Sequence, residues 1–166
     1  DQSLEHGLEV LKRKVDLGAN KVVTQFCFES TAVLKWRDRV AASLPDLEIH
    51  LGVLPIRNID QALRFAQRCQ ASMPADLVSA YQMVRNSRTS DQTQAQASFS
   101  SAYLAAYLRQ MHSEGLENFH FYCLNHPQPT ADIIAALSLS LCFGDRSGFI
   151  NQPSIHQPSN TGQHHV

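Results

Sequence analysis

The chain has 166 residues, enough for one domain with a sizeable core, since a domain of this size buries roughly 70% of the surface its unfolded chain exposes. Its 14 Lys and Arg against 15 Asp and Glu leave a net charge of −1, with no basic block that could follow a phosphate backbone, so nucleic acid is not expected as a partner. No apolar run approaches the roughly 20 residues of a membrane span, and the start Asp1-Gln2-Ser3-Leu4 has no basic and apolar leader. A cytoplasmic protein is expected, and the missing initiating Met suggests a portion of something longer.

Leu4, Leu8, Leu11 and Val15 recur at helical spacing, the segment ends in Lys12, Arg13 and Lys14, and Gly18 supplies a left-handed stop. Lys21 to Phe28 is β-branched and aromatic with hardly any alternation, the pattern of a parallel strand buried on both faces. Ser30 is placed to cap a helix whose stripe is Val33, Trp36, Val40 and Leu44. Pro45-Asp46 breaks that helix before a second strand, Glu48 to Pro55. Asn58 followed by Gln61 makes a capping-box-like start for a helix through Cys69, and Pro74 opens another carrying Leu77, Val78 and Tyr81.

Arg85 to Gln96 is polar and without periodicity, which predicts an exposed loop before a long helix with Phe99, Ala102, Tyr103, Ala106 and Met111 on one face. Gly115 ends that helix, a third strand runs from Asn118 to Leu124, and Thr130 is placed to cap a last helix with Ile133, Ile134, Leu137 and Leu141. From Gly144 onward Pro, Ser, Asn, Gln and His dominate, so residues 144–166 are expected to be a disordered polar tail behind a domain of residues 1–143. Cys27, Cys69, Cys123 and Cys142 are irregularly spaced without a C-x-x-C pair and are expected to be reduced and structural. His156, His164 and His165 lie in the tail, no H-x-x-x-H or H-E-x-x-H spacing occurs, and no metal is expected. The 7 glycines form no G-x-G-x-x-G run, which excludes nicotinamide binding of the Rossmann type.

Three strand ends carry the most specific signal: Val23-Thr24-Gln25-Phe26-Cys27-Phe28, then Gly52-Val53-Leu54-Pro55-Ile56 with Asn58, Gln61 and Phe65, then Asn118 through Asn125. In this order and spacing they resemble the second half of methylenetetrahydrofolate reductase, the flavin-dependent (βα)8-barrel family of one-carbon metabolism. The resemblance runs from about Leu11 to Leu141. It implies an α/β fold, a partial (βα)8 TIM barrel made of the last three βα units, strands six to eight, plus the preceding helix. The implied reaction passes a hydride from NADH or NADPH to FAD and on to 5,10-methylenetetrahydrofolate, giving 5-methyltetrahydrofolate for methionine synthesis. The complete enzyme is expected to be a homo-oligomer. The family's first half, with its general-acid glutamate, has no counterpart in these residues, so no catalytic residue is assigned and the chain alone is expected to be inactive. A reading from another class is a non-catalytic barrel piece serving as a binding or assembly module.

Each candidate has a plain structural role beside its functional one. Gln25 could be an amide satisfied by nearby backbone, while the resemblance makes it the strand-six glutamine that hydrogen-bonds the pterin. Gln61 completes a capping box, and its family counterpart contacts folate; Phe65, one turn on, is either core or the ring that stacks on the substrate or nicotinamide. Arg13 and Lys14 suit a helix C-terminus for dipole reasons alone, and the resemblance also places them near the polar tail of the flavin. Gly7 stands where the family often has a flavin-contacting Asp, and Leu51 where Pro is usual. Tyr122, Leu124 and His126 line the end of the last strand as implied substrate contacts. His126 stands where Arg is common, so it offers a weaker grip on a folate carboxylate than a bidentate fork.

Overall fold

The computed structural model of the chain describes residues 2–87 and 91–143. The expected tail lies outside them, as do the side chains of Leu141 and Cys142. Nine elements follow one another: helix α1 (Gln2–Asp16), strand β1 (Lys21–Phe26), helix α2 (Ser30–Ser43), strand β2 (Glu48–Val53), helices α3 (Ile59–Arg68), α4 (Ala75–Asn86) and α5 (Gln92–Ser113), strand β3 (Asn118–Phe121) and helix α6 (Gln128–Phe143). The sheet order is β1-β2-β3 and both pairings are parallel, each crossover passing through helices.

Three helices, α1, α5 and α3, end by one device. Gly18 N–H donates to Val15 O and Ala19 N–H to Lys14 O, while Gly115 N–H and Leu116 N–H donate in the same way to His112 O and Met111 O. Both glycines have positive φ, +99° and +90°, which a Cβ would strain. After α3 the same pattern is made by Gln70, at φ 54°, with Gln70 N–H to Gln67 O and Ala71 N–H to Ala66 O.

The main core joins Phe26, Leu51, Val53 and Leu54 to Ile59, Ala62 and Ala66 of α3, Leu77 and Tyr81 of α4, and Leu104, Leu108 and Met111 of α5. A smaller cluster of Leu8, Val40 and Leu47 packs α1 and α2 over Val22 and Ile49. Alternation therefore sends Val22, Ile49, Leu51, Phe119 and Phe121 toward the helices. The opposite face of the sheet carries Lys21 and Val23, then Glu48, His50 and Gly52, then His120. Lys21 Nζ and His50 Nε2 both reach the Glu48 carboxylate there, at 3.4 and 2.6 Å.

Several expectations are corrected. β1 is not buried on both faces: Val23 is 42% exposed, and Lys21 and Gln25 are open, because only one face of the sheet is covered by helices. β1 and β2 stop at Phe26 and Val53, and β3 at Phe121. Ser30 is not a cap. It is the first residue of α2 behind Glu29, and its hydroxyl donates to Gln110 Oε1 at 3.2 Å. Thr130 lies inside α6, with its hydroxyl 3.2 Å from Cys123 Sγ. The polar stretch expected as a loop is helical at both ends: α4 runs to Asn86, and α5 starts at Gln92 behind Asp91, whose side chain accepts from Gln94 N–H at 2.9 Å. The first turns of α5 are exposed, so no apolar period was needed to form them. The buried face of α5 is Ser100, Leu104, Tyr107, Leu108 and Met111, whereas Ala102 and Ala106 are exposed.

Candidate functional site

A cleft of about 320 Å³ opens where β2 and β3 end. Gln61, Phe65, Tyr122, Leu124 and His126 all line it, so five of the six substrate candidates share one hollow. Helix α3 supplies the first two. Asn58 Oδ1 accepts from Gln61 N–H at 2.9 Å, fixing the helix start. The Gln61 side chain makes no hydrogen bond among the described residues, so its amide is left for the cleft. Phe65, at i+4, is half-buried and lies 5.5 Å from Phe26 with an interplanar angle of 16°. One face of its ring is therefore supported by the core and its surroundings open to the cleft, as a stacking platform requires.

The other wall is a strained turn. Tyr122 N–H still donates to Val53 O at 2.8 Å, but Leu124 and Asn125 have φ of 47° and 63°, and His126 N–H closes the turn on Cys123 O at 2.8 Å. Positive φ at both central residues is the type I′ arrangement, easy for Asn and costly for Leu. Left-handed backbone at a non-glycine residue costs of order 1–2 kcal/mol, and such strain persists where surrounding structure over-determines it. Here the turn pushes the Leu124 side chain, 55% exposed, to the cleft wall beside His126.

Gln25 is not in this cleft. It lines a second hollow of about 460 Å³ along β1, with Thr24, Trp36 and Cys69 among its neighbours. Its placement comes from a bulge. Val23 pairs with His50 and Phe26 with Gly52, so Thr24 and Gln25 together face the single residue Leu51, an uncommon feature between parallel strands. Three contacts hold it: Gly52 N–H donates to Thr24 Oγ1 at 2.9 Å, Tyr122 Oη donates to Thr24 O at 2.8 Å, and Phe26 N–H donates to Gln25 Oε1 at 3.1 Å. Tyr122 thus reaches across β2 to β1, and only glycine lets it pass, because a Cβ on Gly52 would overlap the Thr24 carbonyl and come within 2.8 Å of Tyr122 Cε2. The Gln25 side-chain carbonyl thus accepts from the neighbouring Phe26 backbone N–H. Its NH2 donors point to no partner among the described residues.

Arg13 and Lys14 lie exposed at the end of α1, on the side where β1 begins, and line neither hollow. Nothing lies within 4 Å of a Cβ built on Gly7. Two exposed cations beside open solvent do not by themselves fit a flavin. Leu51 is core, 1% exposed. Burial pushes the Cys27 thiol up, away from thiolate character, while Tyr107 Oη donates to its carbonyl at 2.7 Å. Among the described residues no group of three His, Cys, Asp or Glu could hold a metal, and no helix is long and apolar enough to cross a membrane.

Sequence reasoning passed over Thr24, whose role depends on a cross-strand register, and three arginines, Arg57, Arg64 and Arg68, that also line the first cleft. The i+3 and i+7 spacing of the last two from Gln61 could have placed them near it.

The family model for methylenetetrahydrofolate reductase matches residues 1–138. The chain is similar to the 5,10-methylenetetrahydrofolate reductase of Escherichia coli strain K12, 31% identical over 138 residues that make up 83% of this chain and 45% of that protein. It is 32% identical over 141 residues to the enzyme of the same name from Pectobacterium carotovorum, covering 85% of this chain and 43% of that one. Against methylenetetrahydrofolate reductase (NADH) 1 of Arabidopsis thaliana it is 27% identical over 138 residues, 83% of this chain and 22% of the plant protein. The chain thus spans a little under half the length of the bacterial relatives it matches. With the family model covering most of its length and an α/β fold built on a parallel sheet, the chain belongs to the methylenetetrahydrofolate reductase family.

Proposed function

We propose that the chain supplies the last three βα units, strands six to eight, and the preceding helix of a (βα)8 barrel, and that it carries the folate-binding side of a methylenetetrahydrofolate reductase. The whole protein then reduces 5,10-methylenetetrahydrofolate to 5-methyltetrahydrofolate for methionine synthesis, with FAD as cofactor and NADH or NADPH as reductant. The observation that carries the reading is the convergence of Gln61, Phe65, Tyr122, Leu124 and His126 on one cleft at the carboxyl ends of parallel strands, where barrel enzymes keep their reactive groups. Residues from two elements distant in sequence meet there.

The chemistry of the lining suits a flat heterocycle with an anionic tail. Phe65 offers a supported ring face, Leu124 an apolar wall, and Gln61 an unspent amide able to pair with a pterin edge. Tyr122 contributes its ring edge, since its hydroxyl is committed to Thr24. Gln25 is proposed to reach the same ligand from β1 with its NH2 donors. None of these is a strong proton donor, so the chain binds and orients while proton transfer and flavin chemistry depend on residues elsewhere in the barrel. FAD is implied by family membership, and Arg13 and Lys14 are proposed only as distant electrostatic contacts.

Titrating 5-methyltetrahydrofolate into the chain by calorimetry tests this. Gln61→Ala, an exposed change that keeps the Asn58 cap, is expected to weaken binding about three- to tenfold, as loss of one good hydrogen bond implies. Phe65→Leu should weaken it further. Binding that is unchanged in both variants, with melting temperatures intact, would remove this cleft as the folate site.

A further inference from the structure

The Thr24 hydroxyl has two partners. Its Oγ1 accepts from Gly52 N–H at 2.9 Å and donates to the main-chain oxygen of Gln25 at 2.8 Å. Where the bulge sets Thr24 and Gln25 together against Leu51, the hydroxyl therefore ties β2 to the backbone of Gln25 itself. Both chain neighbours of Gln25 are also held by residues of the first cleft. Thr24 O accepts from Tyr122 Oη at 2.8 Å, and the Phe26 ring lies 5.5 Å from Phe65 at an interplanar angle of 16°. Gln25 itself lines the hollow along β1.

The consequence falls on the Gln25 amide. Gln25 is exposed, and a long exposed side chain ordinarily moves among several rotamers. Here its Oε1 accepts from Phe26 N–H at 3.1 Å. A backbone N–H only donates, so the amide is held by its oxygen and its NH2 faces away. The main-chain oxygen of Gln25 and the N–H of Phe26 belong to one planar peptide unit. Holding the oxygen fixes the direction of the N–H. We infer that Thr24 is a positioning residue for Gln25: its hydroxyl fixes the peptide unit between Gln25 and Phe26, and through that unit sets the side-chain amide with its NH2 donors toward the ligand. The inference rests on the proposed use of Gln25 in folate binding and adds the group that orients it before the ligand arrives. A threonine that merely filled the bulge would support the strand without reference to the amide.

Proton–nitrogen correlation spectra of the 166-residue chain, together with calorimetric titration of 5-methyltetrahydrofolate, test this. The Phe26 amide proton reports its bond to the Gln25 side chain. Gln25→Ala should move that signal upfield, Thr24→Val should move it most of the way to the same position, and Thr24→Ser should leave it near wild type. Should Thr24→Val fail to fold, Tyr122→Phe gives a second route, because it frees the Thr24 carbonyl while keeping the hydroxyl; a smaller shift in the same direction is expected. Thr24→Val and Gln25→Ala should each weaken 5-methyltetrahydrofolate binding about three- to tenfold, and Thr24→Ser should stay within about twofold of wild type. The double variant should bind no worse than Gln25→Ala alone, since a residue that acts through Gln25 then has nothing to position. A Phe26 signal that stays in place in Thr24→Val, or in Tyr122→Phe where the valine variant does not fold, would overturn the inference, and so would affinity losses that add in the double variant. If the wild-type chain does not bind 5-methyltetrahydrofolate, the folate reading of the site falls and the Phe26 signal alone decides: a shift in Thr24→Val that serine reverses upholds the positioning role, and no shift overturns it.

Discussion

Tyr122 illustrates how one residue can serve a wall and a scaffold together. Its ring borders the cleft while its hydroxyl holds the Thr24 carbonyl released by the β1 bulge. Tyr122→Phe leaves that carbonyl without its partner and should cost about 1–2 kcal/mol in chemical unfolding. Gly52→Ala should cost more, about 3 kcal/mol, because backbone has to move to admit the methyl group; equal stability of the alanine variant would contradict the crossing described here. On the same face, the Glu48 carboxyl is held below its ordinary range, chiefly by the hydrogen bond from the His50 ring; desolvation opposes this, and Lys21 adds a lesser pull in the same direction as His50. A carboxyl depressed in the folded state stabilises fully above the unfolded value, about pH 4.3, and the benefit fades as pH falls through the folded value. The gap in melting temperature between wild type and Glu48→Gln should therefore shrink from pH 7 toward pH 3. A gap constant across that range would show that the pair contributes nothing through titration.

Among the elements, α3 ties local sequence most directly to the site. Asn58 caps it, Gln61 and Phe65 ride on its first turns, and Ile59, Ala62 and Ala66 anchor its other face. Asn58→Ala should lower stability by about 1 kcal/mol and also loosen the folate binding proposed for the cleft, since fraying the first turn releases Gln61. Stability lost with affinity unchanged would separate the cap from the site. The start of this helix was legible in the sequence because the Asn58 cap and Gln61 lie three residues apart, whereas its left-handed stop at Gln70, a non-glycine, was not. The order of strands and helices and the Gly18 and Gly115 stops were legible too. The start of α5 was not, because an exposed helix opened by Asp91 carries no apolar period to read. Nor was the bulge at Thr24 and Gln25, which exists only relative to Leu51 and Gly52 on another strand. The left-handed Leu124 is a similar case: a leucine gives no local warning of positive φ, and it is the surrounding turn that imposes it.

At the scale of the whole molecule, the described sheet ends in two free edges. β1 and β3 each pair only with β2, and the sheet face away from the helices is open. A parallel sheet in a closed barrel has no such edges, and free ones invite pairing with another chain. The two edges differ in risk. The exposed face of β3 carries His120, which stacks edge-on against Tyr122 at 4.9 Å, whereas β1 exposes Val23 at 42% next to an apolar hollow bordered by Trp36 and Cys69. Self-association of the chain is therefore expected to run through β1. Sedimentation at rising concentration should show reversible growth beyond the monomer, and Val23→Lys should suppress it by placing a charge on that edge without touching the core. His120→Lys, on the other edge, should leave the association nearly unchanged. A wild-type chain that stays monomeric and melts cooperatively would mean that three βα units close their own edges well enough to stand as a domain. The proposal that they are one side of a larger barrel would then lose its main physical support.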